Sequence, residues 1–94
     1  MTRHDLEQVI IDVVVDVQQK SGRLPTAIDR DICPVGGLPE FDSLLSLEAT
    51  VELESRLGFT TDASVFINEG GTRALRIREV AQRVQELSHI EVTG

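Results

Sequence analysis

One short run of the sequence combines residue types that could take part in covalent chemistry. It is Asp42-Ser43-Leu44, placed where a loop rich in Pro and Gly gives way to an amphipathic segment. Ser43 would stand in the first turn of a helix, with its hydroxyl in solvent. Helix N-termini carry unpaired amide donors and a partial positive charge, so an anion bonded to that hydroxyl would be well placed. The sequence therefore predicts that any covalent modification passes through Ser43.

The other residues that could act as nucleophiles or ligands lack the spacing that such chemistry needs. Cys33 has no His or Lys near it in sequence, and His4 and His89 stand at opposite ends of the chain. The surroundings of Ser43 do not form the G-x-S-x-G turn of a hydrolase. We therefore expect no metal site, no catalytic residues and no enzymatic activity.

Length and composition are those of a small globular protein. The chain has 94 residues, of which 40% are hydrophobic and 27% charged, so a single domain over residues 1–94 is expected. A net charge of −7 opposes binding to nucleic acid and favours basic protein partners. With one cysteine, no leader and no stretch that could span a membrane, the chain is expected to be a cytoplasmic monomer.

Hydrophobic spacing predicts a long helix towards each end of the chain. Residues 3–20 and 73–88 carry apolar side chains at i, i+3, i+4 and i+7 positions. Thr2 or Asp5 could cap the first of these helices, and Ser21-Gly22 could end it.

The middle of the chain is predicted to hold a long loop, a long helix and a short helix. Residues 22–42 contain all three prolines of the chain, which excludes a continuous helix, and a loop of this length tends to be functional. Residues 43–57 are predicted to form the second helix, with Asp42 as its N-cap and Gly58 at its end. A short third helix is predicted at residues 62–67.

Together these elements predict an all-α protein. The expected architecture is a small antiparallel four-helix bundle with three longer helices, one short helix and a long loop between the first and second helices. Because only 3% of the residues are aromatic, Leu, Ile and Val are expected to form the core. In the second helix, the apolar residues at one face are Leu44, Leu47 and Val51, and Leu53 and Leu57 continue an apolar side.

This layout resembles the acyl carrier proteins and the related peptidyl carrier domains. The resemblance covers about residues 4–88. It rests on Asp42-Ser43-Leu44, Leu47-Glu48-Ala49 and Leu53-Glu54 in the second helix, and on Ile77-Arg78-Glu79-Val80-Ala81 in the last. Because any three-residue string is common by chance, the position of Asp-Ser-Leu at a helix start in a short acidic chain carries more weight than the string itself.

The resemblance implies a specific modification and a specific set of partners. Ser43 would receive 4′-phosphopantetheine from coenzyme A, through a phosphodiester that a phosphopantetheinyl transferase installs. The thiol of that arm would carry an acyl or aminoacyl group as a thioester and present it to loading enzymes and synthases with basic docking surfaces. The residues that match the family's attachment and docking positions are Asp42, Leu44, Glu48 and Glu54, with Glu40 and Glu52 as further candidates.

The sequence departs from the family pattern at three positions, and several alternatives stay open. Leu45 stands where fatty-acid carriers often have an acidic residue, Arg56 interrupts the acidic run, and Arg76 stands where a Thr commonly opens the last helix. The alternative function is an unmodified helical interaction or regulatory module of the same fold. Leu44 could pack in the core or contact partners, and the sequence favours neither role over the other. The carried group, its pathway and whether an acyl chain enters the bundle are left undecided.

Overall fold

A computed structural model describes residues 1–20, 22, 27–38 and 41–88 of the chain. Within these ranges it contains four helices: α1 (Arg3–Lys20), α2 (Pro34–Gly37), α3 (Ser43–Leu57) and α4 (Ile77–Ser88). The same ranges hold no strand, only an isolated antiparallel bridge between Ile67 and Ala74. The predicted all-α class and the predicted bounds of the first two long helices are confirmed. Ser21, Glu40 and His89 lie outside the described residues, as do residues 23–26 and 39–40 of the predicted long loop.

Reciprocal hydrogen bonds between Thr2 and Asp5 open α1. The Asp5 amide donates to Thr2 Oγ1 at 3.0 Å, and the Thr2 amide donates to Asp5 Oδ2 at 3.2 Å. The bond from the Thr2 amide lowers the pKa of the Asp5 carboxyl. Both residues predicted as alternative caps therefore act together, as in a capping box. None of the helices in the described part of the chain is long and apolar enough to cross a bilayer.

The core forms where α1 contacts both α3 and α4. Its aliphatic residues include Leu6, Ile10 and Val13 of α1, all fully buried. Two of its largest side chains are nevertheless rings: Phe41 and Phe66 pack edge to face, with centroids 5.7 Å apart and planes at 65°. The predicted core of Leu, Ile and Val is therefore completed by aromatic rings.

The long connection between α1 and α3 is fastened to both α1 and α4. The amides of Ile77 and Arg78, in the first turn of α4, donate to the carbonyls of Ile32 and Arg30, each at 3.0 Å. The Arg30 guanidinium donates two hydrogen bonds of 3.0 Å to Glu7, whose side chain is 6% exposed. This buried carboxylate is thus paired in two-point geometry. The connection is consequently held against α1 and α4 at Arg30 and Ile32.

The prediction of a short helix at residues 62–67 is wrong. These residues form bends and a turn instead. Ser64 Oγ accepts the Phe66 amide at 3.1 Å, which diverts that amide from helical pairing. The short helix of the structure is α2, within the long connection, and it is interrupted by the left-handed conformation of Gly36, with φ of 87°.

The last helix begins at Ile77 and not at residue 73, because Glu79 organises the residues before it. The Glu79 carboxylate accepts the Arg76 amide at 2.9 Å, which is the reach back to the N-cap amide seen in capping boxes. It also accepts two bonds from the Arg73 guanidinium, at 3.0 and 3.3 Å. These bonds, with that from Arg73 as the larger cause, lower the pKa of Glu79 to about 2.

Three buried hydroxyl residues, Ser46, Thr50 and Ser64, join α3 to the segment before α4 and are called the hydroxyl cluster below. Ser64 Oγ donates to Ser46 Oγ at 3.0 Å. Thr50 Oγ1 donates to the Ser46 carbonyl at 2.8 Å and accepts the Val65 amide at 3.2 Å. Because all of these groups are buried, each bond satisfies a polar atom that water does not reach.

Glu79→Gln tests the contribution of the Glu79 carboxylate to the fold. Because the pKa in the folded state, about 2, lies below the ordinary 4.5, the stabilisation is complete above pH 4.5 and is lost as the pH falls towards 2. At pH 7 the substitution should lower the free energy of unfolding by ~1 kcal/mol, since the carboxylate is partly exposed. Urea unfolding should show the two proteins converging in acid; a gap that does not change with pH would contradict this role.

Thr50→Val tests the hydroxyl cluster. The variant keeps the shape of the side chain but leaves the buried Val65 amide without its acceptor. The free energy of unfolding should fall by ~1–3 kcal/mol, measured by urea unfolding with an unchanged m-value. Thr50→Ser is the matched control, because it keeps the hydroxyl and removes only a methyl group. A larger loss in Thr50→Ser than in Thr50→Val would show that packing, and not hydrogen bonding, matters at this position.

Candidate functional site

Asp42 defines the start of α3. Its backbone is extended, with φ of −92° and ψ of −173°, and its Oδ1 accepts the Leu45 amide at 2.9 Å. Its carbonyl accepts the Ser46 amide at 3.0 Å. The predicted N-cap is therefore confirmed. The amides of Ser43 and Leu44 belong to the first turn, where an α-helix supplies no acceptor of its own.

Ser43 is exposed in the first turn of α3, as predicted. Its carbonyl accepts a hydrogen bond of 2.7 Å from Ser46 Oγ. The hydroxyl cluster therefore extends to the main chain of Ser43 from the interior, while the Ser43 side chain stays on the surface. This combination holds the backbone of an exposed residue in place.

A surface cleft of about 520 Å³ opens beside Ser43, on the side of the long connection, and is called the loop-side cleft below. Its lining residues are Val35, Gly36, Leu38, Phe41, Asp42 and Ser43. Leu38 and Phe41 are buried residues of the core, so the cleft has an apolar floor. Its volume lies within the ~300–1,000 Å³ of small-molecule sites. A hydroxyl nucleophile thus stands at the edge of a space that could receive a bound group.

The surface of α3 that faces solvent is apolar at its centre. Leu44, Leu47 and Val51 are 66%, 46% and 64% exposed, and together they are called the apolar stripe. The residues that α3 buries are mostly small or polar: Ser46, Ala49, Thr50 and Leu53. The possibility that Leu44 packs in the core is therefore wrong. Contiguous apolar groups on a surface are typical of interaction sites.

The carboxylates predicted to dock partners have different surroundings. Glu48 is exposed, next to the apolar stripe. Glu52 pairs with Arg56 at 3.1 Å across one helical turn. Glu54 is half-buried, and its Oε2 accepts the Thr61 amide at 3.0 Å, so it fixes the chain that follows α3. Among these three residues Glu48 is the one presented to solvent without such a contact.

Two residues that depart from the carrier pattern have structural roles. Leu45 is partly buried and packs against the core, where a carboxylate would be desolvated. Arg56 contacts Asp16 of α1 at 3.4 Å in addition to Glu52, and so links the end of α3 to α1.

Sequence reasoning missed Phe41 and the hydroxyl cluster as parts of this site. The available signal for Phe41 was its position directly before an N-cap, where an apolar residue often anchors the entry into a helix. Ser46 and Ser64 are 18 residues apart and meet only through tertiary structure, so no local pattern marks them.

Cys33 and His4, the other described residues considered for chemistry, are not among the residues that line the cleft beside Ser43. Cys33 is half-buried, and its Sγ donates to the Ala74 carbonyl at 3.9 Å, while His4 is exposed. Across the described ranges, no group of three or more His, Cys, Asp and Glu residues is arranged to hold a metal ion.

The structure brings together the predicted residues Asp42, Ser43 and Leu44 at the start of α3, with Glu48 one turn further on the exposed side. Glu54 accepts the Thr61 amide, and its role in docking stays a prediction. An exposed hydroxyl can accept a transferred group at such a site. Comparisons with protein-family models, with curated proteins and with solved structures found no match to this chain.

Proposed function

We propose that this chain is a carrier protein, modified with 4′-phosphopantetheine at Ser43, that presents acyl, aminoacyl or related thioesters to partner enzymes. The observation that carries the proposal is the exposed Ser43 in the first turn of α3, beside an Asp42 carboxylate that is turned onto the Leu45 amide. The resemblance of Asp42-Ser43-Leu44 and its context to acyl and peptidyl carrier domains supports the same function. The chain itself catalyses no reaction in this proposal.

The surroundings of Ser43 fit a phosphodiester. The first-turn amides of Ser43 and Leu44 and the positive end of α3 favour an anion there. Because the Asp42 carboxylate is held by the Leu45 amide, its repulsion of a phosphate is limited. When bound, the arm supplies a thiol on a flexible tether, which raises the local concentration of its cargo at a docked enzyme.

The proposed architecture is an antiparallel bundle, in a cytoplasmic monomer. Arg3, at the start of α1, donates hydrogen bonds of 2.7 and 2.6 Å to Gln82 in the middle of α4 and to Gln85 near its end. These bonds support opposite directions for α1 and α4. The partners of such a carrier are a phosphopantetheinyl transferase and enzymes that load or use the cargo.

Docking of these partners is assigned to the apolar stripe and Glu48. Apolar side chains at 46–66% exposure can be buried by a partner, and Glu48 adds a charge that attracts basic surfaces. The same stripe favours the second candidate function, an unmodified helical interaction or regulatory module. The two functions differ in whether Ser43 is modified.

Intact mass separates the two functions. Incubation with coenzyme A and a broad-specificity phosphopantetheinyl transferase should add one phosphopantetheine to the parent protein and none to Ser43→Ala. Ser55→Ala, an exposed serine on the same helix, is the matched control and should gain the same mass as the parent. An unchanged parent mass would favour the interaction module. A gain in Ser43→Ala would place the attachment elsewhere.

Charge reversal tests the docking surface. Glu48→Lys should lower kcat/KM for modification by a basic transferase about threefold at low salt, because steering by the acidic surface is reduced. The gap should shrink in 1 M salt, where charges are screened beyond about 3 Å. Glu69→Lys, an exposed residue outside α3, changes the net charge equally and should have a smaller effect. Equal effects of the two variants would show that Glu48 lies outside the docking surface.

A further inference from the structure

We propose that Ser64 is a positioning residue for the modification of Ser43, although the two lie far apart in the chain. Its effect passes through the buried Ser46, which hydrogen-bonds to both of them. The inference rests on the proposed function, because it concerns the transfer of a group to the Ser43 hydroxyl. It adds that the rate of this transfer depends on a side chain outside the docking surface assigned above.

A directed chain of hydrogen bonds connects Ser64 to Ser43. Ser64 Oγ donates to Ser46 Oγ at 3.0 Å, and Ser46 Oγ donates to the Ser43 carbonyl at 2.7 Å. A serine hydroxyl has a single proton, so each of these two residues uses its one donor in this chain. Ser64 Oγ in turn accepts the Phe66 amide at 3.1 Å. The orientation of each hydroxyl is therefore set by both of its neighbours in the chain.

Burial makes the bond from Ser64 difficult to replace. Ser46 is fully buried, and Ser64 is 9% exposed. If Ser64 lost its hydroxyl, Ser46 Oγ would lose the donor that it accepts, and solvent would not supply another. The Ser46 side chain would then be held by one of the two bonds, so its rotamer and its contact with the Ser43 carbonyl would be less restricted.

A ring contact joins the same segment to the other side of Ser43. Phe66 packs edge to face against Phe41, which lies two residues before Ser43, and both rings are buried. Because Ser64 Oγ holds the Phe66 amide, it fixes the backbone that carries the Phe66 ring. The Ser64 hydroxyl thus supports the Ser43 backbone on both sides, through the two rings and through Ser46.

The exposure of the Ser43 side chain makes this backbone support important for transfer. Because the side chain is on the surface, its hydroxyl is placed chiefly by the main chain of the first turn of α3. A displacement of about 1 Å can lower the rate of a reaction about 100-fold. Loss of the Ser64 hydroxyl should therefore slow the transfer step. Binding of the transferase should be little changed, because the apolar stripe and Glu48 stay in place.

Steady-state kinetics of Ser43 modification by coenzyme A and transferase test this role. Ser64→Ala should lower kcat about tenfold and change KM less than about twofold. Ser46→Ala, which removes the hydroxyl next to the Ser43 carbonyl, should have the same effect. Ser64→Thr keeps the hydroxyl and should restore most of the parent kcat.

Glu79→Gln is the matched control. It also weakens the fold, but the carboxylate that it removes holds the start of α4. At a temperature where all the variants are folded, it should leave kcat unchanged. Equal losses of kcat in Ser64→Ala and Glu79→Gln would show that Ser64 acts only through stability, and would overturn the inference. A higher KM with the parent kcat in Ser64→Ala would overturn it as well, since Ser64 would then contribute to docking.

Backbone dynamics test the same role without the transferase. The order parameters of the Ser43 and Leu44 amides, from nitrogen relaxation, should be about 0.85 in the parent protein and should fall towards ~0.6 in Ser64→Ala. Glu79→Gln should keep the parent values. Unchanged order parameters at Ser43 in Ser64→Ala would show that the chain of hydrogen bonds does not hold this backbone.

The outcome is separable from that of the proposed function. If the parent protein is not modified by coenzyme A and transferase, the carrier function fails, and the order parameters still decide whether Ser64 holds Ser43 in place. If Ser64→Ala is modified with the kcat of the parent, the carrier function stands and the positioning role fails.

Discussion

The hydrogen bond from the Leu45 amide to the Asp42 carboxylate is the contact on which the site depends. The bond lies where the backbone changes from extended at Asp42 to helical at Ser43, the first residue of α3. Ser43 is therefore placed in the first turn. Phe41 anchors the same point from the inside, through its edge-to-face contact with Phe66. Phe41, which precedes Asp42, is buried, and the Ser43 carbonyl accepts a hydrogen bond from Ser46 Oγ. The backbone of Ser43 is therefore held in place although its side chain is exposed.

Polar and apolar side chains lie on different faces of α3. The helix turns the side chains of Ser46 and Thr50 inward, where they bond to Ser64 and to the Val65 amide in the chain after α3. It turns Leu44, Leu47 and Val51 outward. Buried hydroxyls are tolerated because each has a partner, and exposed apolar side chains lose contact with water only when something covers them. The same helix is therefore fixed to the fold by polar bonds and has an apolar surface in solvent.

The connection before α3 links the rest of the molecule to the site. Its backbone carbonyls at Arg30 and Ile32 accept the first amides of α4, and Arg30 pairs with the buried Glu7 of α1. These contacts hold the chain that continues into α2 and the wall of the loop-side cleft. Residues 30–32 of this connection are thus held by hydrogen bonds to the two helices on which they lie.

Local patterns in the sequence were sufficient for α1 and α3 and for the exposed position of Ser43 in the first turn of α3. The spacing of apolar residues predicts α1 and α3, and Asp42 and Gly58 mark the ends of α3, because caps and left-handed terminal residues act through neighbouring backbone atoms. What only the tertiary structure decided involves residues far apart in the chain. Ser64 holds the Phe66 amide and bonds Ser46, which replaces the helix expected at residues 62–67, and the burial of that hydroxyl side of α3 leaves Leu44 in solvent. Helical periodicity shows that a face is apolar, but which face is buried depends on the partners that the rest of the fold brings to it.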